Sequence, residues 1–325
     1  MKPTDLLLKD KTNKERIFQI RLTQNLKIVA IGDSSVYGVG DIGENSQDQG
    51  YGWAARLAHD LGAKRFINLA TNGARASDVE AKQLSAALAM QPDLALICVG
   101  GNDALRNNFD ATKVALNLLK IIEDFEKIGT FVVILALHDP SQITPAPSAV
   151  KRVLMERVLQ VNVAIDWAAN KTNAFVVHTI QRQKIYDKQN WHIDRMHPSA
   201  IGHQLISDIV RRELSLPRRS SSKLPTITEE SQSSRAFWLF TNAFKWLARR
   251  SIDLFPALIF LIVQDFVKRS SRSVEYALRL KIFIEFVLVE LFEEKLLVFK
   301  NNFKREISQE FKMEYVWFTE KKFKI

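Results

Sequence analysis

Four short polar islands, far apart in this 325-residue chain, carry the side-chain types needed to attack a carbonyl group: Gly32-Asp33-Ser34-Ser35, Asn68 to Gly73, Gly100-Gly101-Asn102-Asp103 and Asp194-Arg195-Met196-His197. The first offers a serine hydroxyl as nucleophile, a group that needs a base beside it because it is weak when protonated. The second and third offer hydrogen-bond donors for the oxyanion that forms on attack. In the fourth, a spacing of three lets Asp194 hold one imidazole nitrogen of His197 and leaves the other for Ser34.

Each island has a blander reading when taken alone. Gly-Asp-Ser-Ser is a common turn and helix cap, and an isolated Asp-x-x-His is a common polar cap. Gly38 to Gly43 formally matches a dinucleotide fingerprint, but it begins several residues after the preceding apolar run and leads into Glu44-Asn45-Ser46 rather than a helix. His192, Asp194 and His197 are all metal-ligand types, yet Trp191 and Met196 interleave them and no further ligand-rich cluster is evident, so neither metal nor cofactor is expected. Asp33 and Asp103 read as residues that shape their turns. His59, His138 and His203 read as surface or capping residues.

These islands must be held by a scaffold, and the hydrophobic pattern supplies one. Short apolar runs alternate with segments of helical length, the pattern of parallel strands joined by crossover helices. Strands are expected at Lys27–Ile31, Phe66–Leu69, Leu94–Val99, Phe131–Leu137 and Ala174–His178. Helices are expected at Trp53–Leu61, Asp78–Met90, Ala111–Ile128, Val150–Ala169 and Ser199–Leu214. Ligands of such a sheet bind beyond the carboxyl ends of the strands, where the first and third islands fall.

Together the blocks resemble the SGNH or GDSL hydrolase family over roughly residues 25–214. The resemblance implies an α/β fold, a flavodoxin-like three-layer α/β/α sandwich on a five-stranded parallel sheet. It also implies a serine esterase, lipase or acylhydrolase in which Ser34 is the nucleophile, His197 the base and Asp194 its orienting acid. Ser34, Gly73 and Asn102 take the places of the family's oxyanion-hole residues. Ser35 stands where the GDSL name has leucine, and Ala74-Arg75 replaces the common acidic residue and threonine. Those departures bear on substrate fit. The implied substrate is a small or lipid-derived acyl ester; a non-catalytic binding module or a membrane-surface adaptor on the same fold is the alternative.

Charge divides the chain near Leu214. Residues 1–214 hold 26 Lys and Arg against 23 Asp and Glu, a net of +3, so the remaining +7 of the total +10 lies in the shorter C-terminal part. The excess charge is thus a property of the tail and not of the hydrolase part, and no nucleic-acid partner is expected. One cysteine, Cys98, excludes a disulfide framework and reads as a buried thiol in a strand. Charges through Arg21 interrupt any secretory core, so a cytoplasmic location is expected.

The domain reading is an N-terminal arm at 1–24, the hydrolase domain at 25–214 and a flexible Ser-rich linker at 215–235. An amphipathic helical segment at 236–280 follows, then a Phe- and Lys-rich extension at 281–325. The run Leu254–Val263 is about half of the ~20 apolar residues needed to span a bilayer. With its flanking aromatic and basic residues, 236–272 offers either a peripheral contact with the inner membrane face or a helical pair packed on protein. The sequence sets no oligomeric state.

Overall fold

A computed structural model describes residues 3–41 and 51–221, apart from Asn107, Pro145, Pro147 and Ile193. All of them belong to the first of the two units into which the chain divides, Met1–Ile262 and Val263–Ile325. The expected amphipathic segment at 236–280 and the extension at 281–325 lie outside the described residues.

Five strands form one parallel sheet: β1 (Lys27–Gly32), β2 (Arg65–Asn68), β3 (Leu94–Cys98), β4 (Phe131–Leu135) and β5 (Phe175–Val177), in the order β2-β1-β3-β4-β5. Each expected strand is present, with no end shifted by more than two residues. The α-helices in chain order are α1 (Pro3–Leu22), α2 (Ser34–Tyr37), α3 (Gly52–Asp60), α4 (Ala76–Asp78) and α5 (Leu84–Ala89). They continue with α6 (Gly101–Ala104), α7 (Ala111–Lys127), α8 (Ser148–Lys171) and α9 (Ala200–Glu213).

Strand side chains alternate between two cores, as the two-residue period of a strand requires. Val29, Ile31, Ala95, Ile97, Val132 and Ile134 face one core with Leu118, Ile122 and Phe125 of α7 and Val161 and Ile165 of α8. Ile28, Ala30, Leu94, Leu96, Val133 and Leu135 face the other with Trp53 and Leu57 of α3 and Ile206 and Val210 of α9. Helices on both faces complete the three-layer α/β/α sandwich. Fully burying a Leu, Ile or Phe side chain stabilises by about 1.5–3 kcal/mol, which is why unalternating apolar runs became covered strands.

Two segments carry structure that the sequence reading did not describe. The arm at 1–24 contains the long helix α1, whose Ile20 is buried and whose Arg16 donates to Gly129 O at 2.5 Å. The start of the expected linker is anchored: Leu216 is buried, Arg219 N–H donates to Asp60 O at 2.7 Å, and Arg218 lies 2.8 Å from the Asp60 carboxylate. The arginines of this stretch are tied to acceptors on the folded domain, Arg218 to the Asp60 carboxylate and the Arg219 guanidinium to the carbonyls of Ile20 in α1 and Thr23 just after it.

Candidate active site

Ser34 opens α2 directly after β1, and the turn between them admits only glycine at position 32. Gly32 has φ 147°, and a Cβ there would stand 2.1 Å from Cys98 O. Asp33 is the N-cap of α2 and accepts from Ser35 N–H at 2.9 Å, as its reading as a turn organiser predicts. Next to β1 in the sheet, β3 ends at Cys98; Gly100, with φ 115° and Val161 packed against it, is the N-cap of α6, which carries Asn102. The Asn102 amide donates to Ala74 O at 3.1 Å, and Asp103 accepts from Ala76 N–H at 3.1 Å, so both residues of this island reach the segment after Gly73. Gly73 follows β2 in a turn with φ 83°.

His197 comes from the loop between β5 and α9. An isolated antiparallel bridge pairs Trp191 with Pro198, and His192 N–H donates to His197 O at 2.8 Å, so the loop is closed on itself around Asp194. The Asp194 carboxylate accepts from the backbone N–H groups of Met196 and His197 at 2.9 and 3.1 Å. Its Oδ2 lies 2.7 Å from His197 Nδ1. On the far side of the ring, His197 Nε2 lies 2.9 Å from Ser34 Oγ. Residues 163 positions apart are thereby joined in one line of hydrogen bonds. Although burial works against it, bonding from His192 and His197 and the charge of His197 hold the Asp194 carboxyl far below the usual carboxylate range.

His192 Nδ1 stands 3.4 Å from the same Asp194 oxygen. Among the described residues, no group of three or more His, Cys, Asp or Glu side chains is arranged to hold a metal ion. Gly38 of the dinucleotide-like stretch is the left-handed C-cap of α2, and Asp41 is taken up by Arg56 in two bonds of 2.6 and 2.7 Å; Ile42 and Gly43 lie outside the described residues.

An imidazole aligned between a carboxylate and a serine hydroxyl is an arrangement that can activate that hydroxyl against a carbonyl. A sequence model of the GDSL-like lipase/acylhydrolase family matches residues 30–205. The chain belongs to this family. As a GDSL-family member it is an ester hydrolase.

Solved structures similar to this GDSL-family chain include esterase EstA from Pseudoalteromonas sp., at 16% identity and TM-score 0.46 over 58% of this chain and 96% of that one. Another is the acetylxylan esterase Axe2 from Geobacillus stearothermophilus, at 18% identity and TM-score 0.48 over 60% and 97%. A third is the lipase/acylhydrolase from Enterococcus faecalis, at 20% identity and TM-score 0.47 over 58% and 95%. No curated protein matches the chain.

Two histidines read from sequence as surface or capping residues are placed otherwise. His203 is fully buried: its Nδ1 accepts from Trp53 N–H at 3.1 Å and its Nε2 donates to Val39 O at 3.0 Å, tying α9 to α3 and to the turn after α2. His138, just beyond β4, packs against Trp191 with ring centroids 4.2 Å apart and the ring planes tilted by 45°. Burial pushes both imidazoles down to about 4 from an ordinary 6.5. Trp191 in turn donates from Nε1 to Ile185 O at 2.6 Å, fixing the start of the His197 loop. The described helices include none long and apolar enough to cross a membrane.

The buried titrating groups give the GDSL-family domain a definite pH response. Burial raises the Asp33 carboxyl from 3.8 to about 6, against the pull of Ser35 N–H and His197. For His203 the unfolded chain takes up its proton first as pH falls below 6.5, so that stability is lost toward pH 4. Asp33 acts oppositely, because between pH 6 and 3.8 the native state binds the proton that the unfolded state releases. Asp33→Asn keeps the cap acceptor and removes the buried charge. It is expected to raise stability at pH 7.5 by up to ~3 kcal/mol, with the gain falling to about half by pH 5. Thermal melts of both proteins at the two pH values check this; a gain independent of pH would contradict it.

Proposed function

We propose that the protein hydrolyses small or lipid-derived acyl esters through a Ser34, His197 and Asp194 triad, with Ser34 N–H, Gly73 N–H and the Asn102 amide as oxyanion donors. The observation that carries the reading is the unbroken line from Asp194 Oδ2 through His197 to Ser34 Oγ, with links of 2.7 and 2.9 Å. A binding module would have no need of a carboxylate and an imidazole aligned on a serine hydroxyl.

In this scheme His197 Nε2 takes the Ser34 proton as Oγ bonds to the carbonyl carbon, and the carbonyl electron pair moves onto its oxygen. Asp194 holds the ring in the tautomer with hydrogen on Nδ1 and stabilises the imidazolium. Among the described residues, neither Ser34 N–H nor Gly73 N–H donates to a protein acceptor, as donors reserved for a substrate oxygen require. Collapse of the tetrahedral species breaks the bond to the alcohol oxygen, which leaves with the proton from His197. Water then enters by the same route and releases the acid.

The test is turnover of p-nitrophenyl esters of increasing acyl length by purified protein, together with labelling by a fluorophosphonate. Turnover with a single fluorophosphonate adduct on Ser34 supports the reading, and the chain-length optimum reports how much acyl chain the site accepts. Absence of both turnover and adduct across the series overturns it.

A further inference from the structure

One buried amide outside the catalytic groups grips the turns that carry them. Gln83 Oε1 accepts from Gly32 N–H at 2.8 Å, and its Nε2 donates to Gly32 O at 3.0 Å. A single side chain thus holds both polar groups of the residue two positions before Ser34. The same Nε2 donates to Thr71 Oγ1 at 3.1 Å, two positions before Gly73, and Thr71 N–H donates to Gly32 O at 3.2 Å. Gly32 is already confined on its other side by Cys98 O, so the Gln83 contacts leave this turn little freedom.

The local helix geometry explains how a glutamine reaches this position. Between α4 and α5, residues Val79–Gln83 form a π-helical turn, and Leu84 N–H bonds Val79 O, five residues back. One additional residue per turn changes the helical phase by about 100°. Gln83, four residues after the buried Val79 and next to the buried Leu84, lies on the inner face at the end of this turn and is 3% exposed. Such bulges cost regular hydrogen bonding and recur where a side chain must be re-aimed at a functional site. A buried amide must also find partners, and here the partners are the backbone of the nucleophile turn.

We propose that Gln83 is a positioning residue that fixes the spacing between the turns bearing Ser34 and Gly73, and hence between the two backbone N–H donors of the oxyanion hole. This rests on the role given above to those donors. Oxyanion stabilisation depends on donors being in place before charge develops, and deleting one outright costs about 10²–10³ in kcat. Loosening two without deleting either is expected to cost about 10–100-fold in kcat.

Gln83→Leu removes all three side-chain bonds, whereas Thr71→Val, at an exposed residue, removes only the bond from Gln83 to the second turn and leaves the backbone bond from Thr71 N–H to Gly32 O. Each variant is compared with wild type for kcat and KM on p-nitrophenyl acetate, per site titrated by fluorophosphonate. A trifluoromethyl ketone supplies a second readout, because addition of Ser34 Oγ to it creates a tetrahedral oxyanion. The expected result for Gln83→Leu is kcat per titrated site lowered about 10–100-fold, KM within about twofold, and ketone affinity weakened in step with kcat. Thr71→Val shifts kcat and ketone affinity in the same direction by about 3–10-fold.

A purely structural role for Gln83 would lower the number of titratable sites and leave the constants per site unchanged; that result overturns the proposal. If Gln83→Leu does not fold, Thr71→Val decides, and wild-type constants in that variant also overturn it. Turnover that survives Ser34→Ala brings down the assignment of the nucleophile, and the proposal falls with it; that outcome is distinguishable because it appears before any Gln83 variant is made.

Discussion

Ser34→Ala is expected to lower kcat on p-nitrophenyl acetate by about 10⁴-fold or more while leaving a folded protein. The alanine removes the only atom that His197 Nε2 meets at 2.9 Å in this line, and with it the covalent intermediate. Some acceleration over water is expected to remain, since the backbone donor at position 34 and the Gly73 N–H are untouched. Stability should change little, because Ser34 Oγ supports no other part of the fold among the described residues. The measurement is single-turnover kinetics on both proteins with mass analysis after fluorophosphonate treatment. Equal rates, or an adduct that persists in the alanine variant, would remove Ser34 from the mechanism.

Asp194→Asn has the second largest expected effect, about 10⁴-fold in kcat at neutral pH. The variant is nearly isosteric, yet its amide cannot satisfy His197 Nδ1–H and accept from Met196 and His197 N–H as the carboxylate does. The ring is then driven to the tautomer with hydrogen on Nε2, which faces Ser34 and cannot accept its proton. Unlike Ser34→Ala, this change also reaches stability. A carboxyl held far below its ordinary 3.8 contributes stability above that value and loses it as pH falls toward the native-state titration. Asp194→Asn should therefore lower the melting temperature at pH 7, and by less at pH 3. Stopped-flow acylation and melts at both pH values report the two consequences separately; unchanged acylation would exclude Asp194 as the orienting acid.

Much of this protein was determined by short-range features of the sequence. The five strands are runs such as Leu94–Cys98 and Phe131–Leu135 with no polar alternation, and a sheet covered on both faces is the one setting that buries them fully. The three residues proposed as a triad could be singled out because each sits beside a turn whose chemistry is local: a glycine two positions before Ser34, an Asp-x-x-His spacing at 194–197. What the sequence could not determine is which distant polar groups are buried together. Nothing in the residue type of Gln83 distinguishes it from a surface glutamine on an amphipathic helix; its bonds are to a Gly32 backbone 51 residues away. His203 and the Arg56–Asp41 pair were hidden for the same reason, since a buried polar side chain is recognised by its partner and the partner is chosen only when α3, α9 and the turn after α2 pack. Only the tertiary structure likewise shows the helix in the arm at 1–24 and Arg219 at the start of the linker segment bonded to its C-terminal end, because those contacts depend on carbonyl groups left open at the ends of folded elements.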